Sequence, residues 1–171
     1  MRLLSWGPGV WGLAGLLVLA SAAHAQANWP DRPVRVIVPF PASGATDLVA
    51  RVVTQRVAAD LGQQLVVDNK PGAGGTLGTA EAAKAAPDGY TLLLTTSSTH
   101  AISPHLMPKL AYDPRKDFTP VAHAADAPSV LLVTNSLPVK TVGELIAYAK
   151  AHPGKLNYAT SGNGTIVHLN T

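Results

Sequence analysis

The stretch Val34–Leu61, VRVIVPFPASGATDLVARVVTQRVAADL, decides the fold. Val34 to Phe40 is dominated by Val, Ile and Phe and reads as a buried strand. Thr46 to Leu61 reads as a helix. Leu48, Val49, Val52, Val53, Val57 and Leu61 recur at three- and four-residue spacings and so share one face, and Gly62 supplies a stop. Between them lies PFPASGATD, Pro39 to Asp47, a small-residue loop carrying a hydroxyl and an acid where a strand turns into a helix.

The same alternation continues downstream. Gln64 to Asp68, QLVVD, reads as a second strand, followed by the loop Asn69-Lys70-Pro71-Gly72-Ala73-Gly74-Gly75. Thr76 is placed to cap an alanine-rich helix running to about Ala86, and Pro87-Asp88-Gly89 forms a turn. Tyr90 to Thr96, YTLLLTT, is the third strand. Strand–helix–strand–helix–strand argues for an α/β fold with a largely parallel sheet. Further on, Ala101 to Met107 reads as a short helix broken by Pro104, Ser129 to Thr134 (SVLLVT) as a fourth strand, and Leu156 to Thr160 (LNYAT) as a fifth. Thr141 begins a helix to about His152, with Glu144 completing a capping box. Ile166 to Thr171 begins another helix after the loop Ser161-Gly162-Asn163-Gly164-Thr165, and the sequence is expected to be a piece of a longer protein.

Composition narrows the class. Of 171 residues 47% are hydrophobic and 13% charged, enough apolar material for a packed core. The net charge of +3 includes no basic run and gives no case for nucleic acid. With no cysteine, disulfides, thiolate metal sites and cysteine nucleophiles are excluded within this chain. Arg2, the apolar run Gly12 to Ala22 and the small-x-small site Ala23-His24-Ala25 read as a secretory signal peptide cut after Ala25. The apolar run falls short of the roughly 20 residues that span a bilayer. The mature protein is therefore expected to work in the periplasm.

Four loops follow strands: Pro41–Asp47, Lys70–Thr76, Thr95–His100 and Ser161–Thr165. In an open α/β sheet such loops lie at the carboxyl ends of the strands, where ligands bind. Glycine and alanine let backbone N–H groups approach a ligand, and the start of the following helix adds unpaired donors and partial positive charge. Together they favour a small anion without an arginine. Ser43 and Thr46 suit capping of the helix and contact with a ligand equally well, and Asp47 is expected to organise its loop and not to touch an anion. The run Thr95-Thr96-Ser97-Ser98-Thr99 puts five hydroxyls directly after a strand, and SGNGT opens a helix with two glycines and three donor side chains.

Enzyme signatures fail. In the dinucleotide pattern Gly72 and Gly74 fit, but Leu77 stands at the third position; Ala159 breaks the nucleophile elbow before Ser161; the histidines show no metal-ligand spacing. No cofactor and no metal are expected. An exported α/β hydrolase-like enzyme remains the alternative, with catalytic residues supplied from outside these 171 residues.

As a set, PFPASGATD, DNKPGAGG (Asp68–Gly75), APDGYTLLL (Ala86–Leu94), YDPRKDFTPVA (Tyr112–Ala122) and LPVKTVGELIAYAKAHPGKLNYATSGNGT (Leu137–Thr165) resemble the Bug family, the extracytoplasmic solute receptors of tripartite tricarboxylate transporters. The resemblance runs from about Trp29 to the last residue. It implies a two-domain periplasmic-binding-protein fold of type II-like form, truncated after the start of its second domain. Residues 1–25 would be the signal peptide, 26–126 the N-terminal part of the first domain, and 127–171 the beginning of the second. It also implies a monomer, not an enzyme, that captures a small carboxylate in the inter-domain cleft and delivers it to membrane permease subunits. The carboxylate would be held by Phe40, Ala42, Ser43, Gly44, Ala45, Thr46 and Asp47, and by Ser161, Gly162, Asn163, Gly164 and Thr165. Thr96, Ser97, Ser98 and Thr99 would line the same cleft. Many members carry glycine where this chain has Ser43, so Ser43 either donates a hydroxyl or tilts the loop.

Overall fold

The computed structural model describes residues 29–171, so the signal-peptide reading lies outside the described residues. The chain divides after Arg32 into two units. Of the first only a short irregular stretch, residues 29–32, is described. The second, Pro33–Thr171, carries the fold.

Three parallel strands form its sheet: β1 (Val34–Val38), β2 (Leu65–Asn69) and β3 (Thr91–Leu93), in the order β2-β1-β3. The most apolar strand is therefore central. Val34, Val36, Ile37 and Val38 are all buried, since a strand covered on both faces has no side free for polar residues. The register pairs Val36 with Val67 on one side and with Leu92 on the other.

Helix α1 (Ala45–Leu61) follows β1 and packs on β2 and β1. It ends at Gly62, whose left-handed backbone lets its N–H reach the Ala58 carbonyl at 3.0 Å. Helix α2 (Thr76–Ala83) packs on β1 and β3. It comes so close that a Cβ on Gly78 would stand 2.6 Å from the Lys70 carbonyl oxygen and 2.9 Å from Pro39 Cα. A five-residue wide helical turn, Ser98–Ile102, runs into the short α3 (Ser103–Leu106). Helix α4 (Val142–Ala151) begins with the expected capping box: Thr141 Oγ1 accepts the Glu144 N–H at 3.2 Å, and Glu144 Oε2 accepts the Thr141 N–H at 3.3 Å. Helix α5 (Ile166–Leu169) closes the described chain.

The α/β class, the parallel sheet and the order of its elements follow the sequence reading. Two strands do not. Ser129–Thr134 and Leu156–Thr160 carry no ladder, and Val130 and Leu132 stand 75% and 83% exposed. A strand exists only through its neighbour's hydrogen bonds, and no described segment pairs with either one. The third strand also shrinks from Tyr90–Thr96 to Thr91–Leu93, because its hydroxyl-rich end turns into the Ser98–Ile102 helical turn. The alanine-rich helix stops at Ala83, ahead of Pro87.

This packing sets two stability expectations for the full-length protein. Ile37→Ala, at a fully buried central-strand position, should cost about 3 kcal/mol in chemical denaturation. Gly78→Ala pushes a methyl group into backbone atoms and should cost about 2 kcal/mol, against a few tenths for Val142→Ala on the exposed face of α4.

Candidate functional site

The loop from β1 to α1 is organised around one carboxylate. Asp47, in the first turn of α1, is only 2% exposed. Its Oδ2 accepts the Ser43 N–H at 2.8 Å and Arg51 Nε at 2.9 Å, while its Oδ1 accepts Asn69 Nδ2 at 3.0 Å. The Arg51 guanidinium, with the Ser43 amide second, holds the Asp47 carboxyl down to about 2. Asn69 Nδ2 also donates to the Phe40 carbonyl at 3.1 Å, and Arg51 Nη2 donates to Asn69 Oδ1 at 3.3 Å. Asp47 thus faces into its own loop, as its charge led us to expect.

Neither Ser43 nor Thr46 caps the helix. The N-cap is Gly44, in extended conformation, with no side-chain hydrogen bond. The first N–H groups of α1 therefore have neither an intrahelical acceptor nor a side-chain cap. Ala42, Ser43 and Ala45 are exposed at this point, and Gly44 and Thr46 are half-buried. Ser43 takes φ 66°, the left-handed region that glycine occupies without steric cost.

The loop from β2 to α2 lies beside it. Gly75 forms the N-cap of α2 in place of the expected Thr76, whose hydroxyl instead donates to the Ala73 carbonyl at 2.9 Å. A Cβ on Gly75 would meet Thr99 Cγ2 at 2.9 Å and Phe40 Cζ at 3.0 Å, so three loops converge on this one backbone position. A Cβ on Gly74 would stand 2.9 Å from the Asn163 carbonyl oxygen, which brings the Ser161–Thr165 loop into the same group.

Within the hydroxyl run the roles separate. Ser98 and Thr99 are 2% and 0% exposed. The Thr99 hydroxyl lies 2.7 Å from Thr95 Oγ1 and 2.9 Å from His100 Nδ1, and Tyr112 donates to the Thr99 carbonyl at 2.7 Å. Ser98 Oγ accepts the Ile166 N–H at 3.1 Å across the chain. Both are braced from within. Thr96 is half-buried and Ser97 exposed. In the last loop Thr165 is buried, accepting the Ser161 hydroxyl at 3.1 Å and donating to the Gly162 carbonyl at 2.7 Å. Ser161 and Asn163 are exposed, and Gly162 and Gly164 half-buried.

Three of the four loops predicted from sequence thus lie at the carboxyl ends of β1, β2 and β3, and the fourth, Ser161–Thr165, follows no strand but meets them at Gly74. The sequence reading missed Arg51 and Asn69. The first was legible as a basic residue one turn beyond Asp47. The second was legible as an asparagine ending a strand, where its side chain is disfavoured unless it bonds locally.

Residues 49–171 match the family described as tripartite tricarboxylate transporter family receptor. Among solved structures, the chain is similar to MatC from Rhodopseudomonas palustris with bound malate, at 45% identity and TM-score 0.76, covering 81% of this chain and 47% of that one. It is similar to an R. palustris protein with adipate at 41% identity and TM-score 0.76, covering 80% and 46%. It is also similar to the periplasmic binding protein BugD at 35% identity and TM-score 0.70, covering 82% and 47%. The chain spans about half the length of the curated relatives it matches, 47% of one from Bordetella pertussis.

Two measurements test the loop's construction. The folded-state value for Asp47 lies below its ordinary one, so its contribution is complete above about pH 4 and disappears as the pH falls toward 2. Asp47→Asn should flatten the acid limb of a plot of Tm against pH while lowering Tm at neutrality. Ser43→Gly relieves a left-handed non-glycine residue and should raise stability by up to about 1 kcal/mol in denaturant melts.

Proposed function

The chain belongs to the tripartite tricarboxylate transporter receptor family, and from that premise we propose that the whole protein is a periplasmic solute-binding protein for a small carboxylate. Its two lobes, the first reaching to about Asp126 and the second beginning near Ala127, close around the solute. The closed form is what the transporter's permease subunits read. The protein acts as a monomer and carries out no chemistry on its ligand.

One observation carries the reading. Helix α1 starts without a side-chain cap, at an exposed turn of small residues, while the one acid nearby is turned inward and neutralised by Arg51. The open N–H groups of Ala45 and Thr46 at the positive end of a 17-residue helix suit a carboxylate oxygen. Phe40, Ala42, Ser43 and Gly44 shape that turn, Thr96 and Ser97 line its flank, and Ser161 to Gly164 supply the facing loop. Ser98, Thr99, Asp47 and Thr165 serve by bracing these segments, since their polar side-chain atoms are already engaged. Relatives bound to malate and to adipate support a dicarboxylate as the class of solute.

The hydrolase alternative finds no support at the site. The nearest approach to a nucleophile and base is Thr99 Oγ1 with His100 Nδ1 at 2.9 Å, but Thr99 is fully buried and its hydroxyl is shared with Thr95.

Proline at the first helical position removes one N–H without disturbing the helix, and Gly44 already has the extended φ −78°, ψ 168° that a following proline requires. In the full-length protein, Ala45→Pro should leave Tm within about 2 °C of wild type and weaken binding of malate or adipate about tenfold by calorimetry, the loss of one charge-assisted hydrogen bond. Equal affinity in the variant would remove the helix start from the grip.

A further inference from the structure

Asn69 ends β2, outside every loop the sequence reading assigned to the ligand, yet its side chain makes three hydrogen bonds at the root of the first loop. Its Nδ2 is shared between the Phe40 carbonyl at 3.1 Å and Asp47 Oδ1 at 3.0 Å, the two ends of the Phe40–Asp47 segment. Its Oδ1 accepts Arg51 Nη2 at 3.3 Å. Its backbone is fixed in turn by the β1–β2 ladder, opposite Val38, with the next N–H, of Lys70, donating to the Val38 carbonyl at 2.8 Å.

We propose that Asn69 is a positioning residue for the carboxylate grip: one planar amide on the rigid end of β2 ties both ends of the Phe40–Asp47 loop and so aims the first N–H groups of α1. The proposal rests on the solute-binding reading above.

The chemistry requires an amide. Phe40 and Asp47 present only acceptors toward position 69, and Arg51 presents only donors. A carboxylate satisfies Arg51 but repels Asp47, and an aliphatic side chain satisfies neither. Asparagine meets all three partners with one group and has few rotamers to lose. Without it, Asp47 Oδ1 loses its donor and the carboxylate is held through Oδ2 alone. The Ser43 N–H that holds Ser43 at φ 66° is bonded to the same carboxylate, so its restraint loosens with it. The groups facing Asp47 are Arg51 from α1, Asn69 from β2 and the Ser43 amide, so no other charge replaces the lost contact.

The test uses the full-length protein with Asn69→Ala and Asn69→Asp, malate and adipate as probes, and hydrogen exchange as a ligand-free readout. In N69A, the Ser43 and Gly44 amides, bonded to Asp47 Oδ2 and the Pro41 carbonyl, should exchange about tenfold faster and the affinity for the bound acid should fall about tenfold, the effect of one lost hydrogen bond to a charged group. Exchange in β1 and the distal turns of α1 should stay at wild-type rates, which a general loss of stability would not allow. N69D keeps the shape and the Arg51 partner, so it carries the test if N69A does not fold. Its affinity relative to wild type should drop further as the pH rises from 4 to 7 and the new carboxylate ionises against Asp47. Affinity within twofold of wild type in the folded variants, at every pH, would overturn the positioning role. Wild-type protein that binds neither malate nor adipate would instead overturn the solute-binding reading on which that role stands.

Discussion

A carboxylate buried at the first turn of a helix governs this site. Asp47 is almost fully enclosed, and an ion so placed persists only where donors replace its water. It has three, one each from its own loop, its own helix and the neighbouring strand. The arrangement has an electrostatic consequence beyond stability. Left bare, an acid at the start of a helix cancels the positive end that would attract an anion. Paired with Arg51 one turn on, Asp47 is neutralised locally, and the helix start keeps its donors for something else.

The sheet decides where that donor set lies. Because β1 is the central strand of a parallel sheet, the loop after it leaves between the loops after β2 and β3. Close approach then depends on side chains that are missing. At Gly75 the backbone meets both Phe40 and Thr99, and at Gly74 it meets the Asn163 carbonyl, spacings at which a methyl group on either glycine would overlap its neighbours. The glycine-rich loop is thus the hub through which the other three touch. Ser98 adds a specific tie by accepting the Ile166 N–H from the start of α5, just after the last loop, a bond between residues distant in sequence.

Much of this was legible in the residues. The three strands followed from their apolar composition, α1 from its periodicity and α2 from its alanine content, though Leu48 and Val52 on the expected apolar face of α1 stand 57% and 69% exposed. The capping box at Thr141 and Glu144 was readable in the residues. The membership suggested by the block motifs agrees with the family match over residues 49–171. The errors share one cause. SVLLVT and LNYAT have the composition of strands, but composition says nothing about whether a partner is present, and a strand is a property of a pair. Thr76 has the composition of a cap, yet Gly75 takes that position because the backbone must turn left-handed against Phe40 and Thr99. Asn69 could be marked as an unusual strand-ending residue, but its role could not, because its partners, Phe40 and Asp47, lie 29 and 22 residues away in sequence.

Strain points to the same end of the sheet. Among the described residues, two non-glycine positions have left-handed backbone, Ser43 at φ 66° and Ala73 at φ 47°. One lies in the loop after β1 and the other in the loop after β2, both at the carboxyl ends of parallel strands. Each costs of order 1 kcal/mol relative to glycine, and each is held by a neighbouring bond: the Ser43 N–H on Asp47, and the Ala73 carbonyl on the Thr76 hydroxyl. Backbone held against its own preference persists only where its surroundings over-determine it, and such positions cluster at binding sites. Here Ser43 adjoins the uncapped start of α1, and Ala73 precedes Gly74, the point where the Ser161–Thr165 loop comes closest. At Ser43 the left-handed turn leaves the hydroxyl-bearing side chain exposed while its amide points inward at Asp47. The Asp47–Asn69–Arg51 network holds the loop backbone from inside, and the Ser43 side chain faces outward from it.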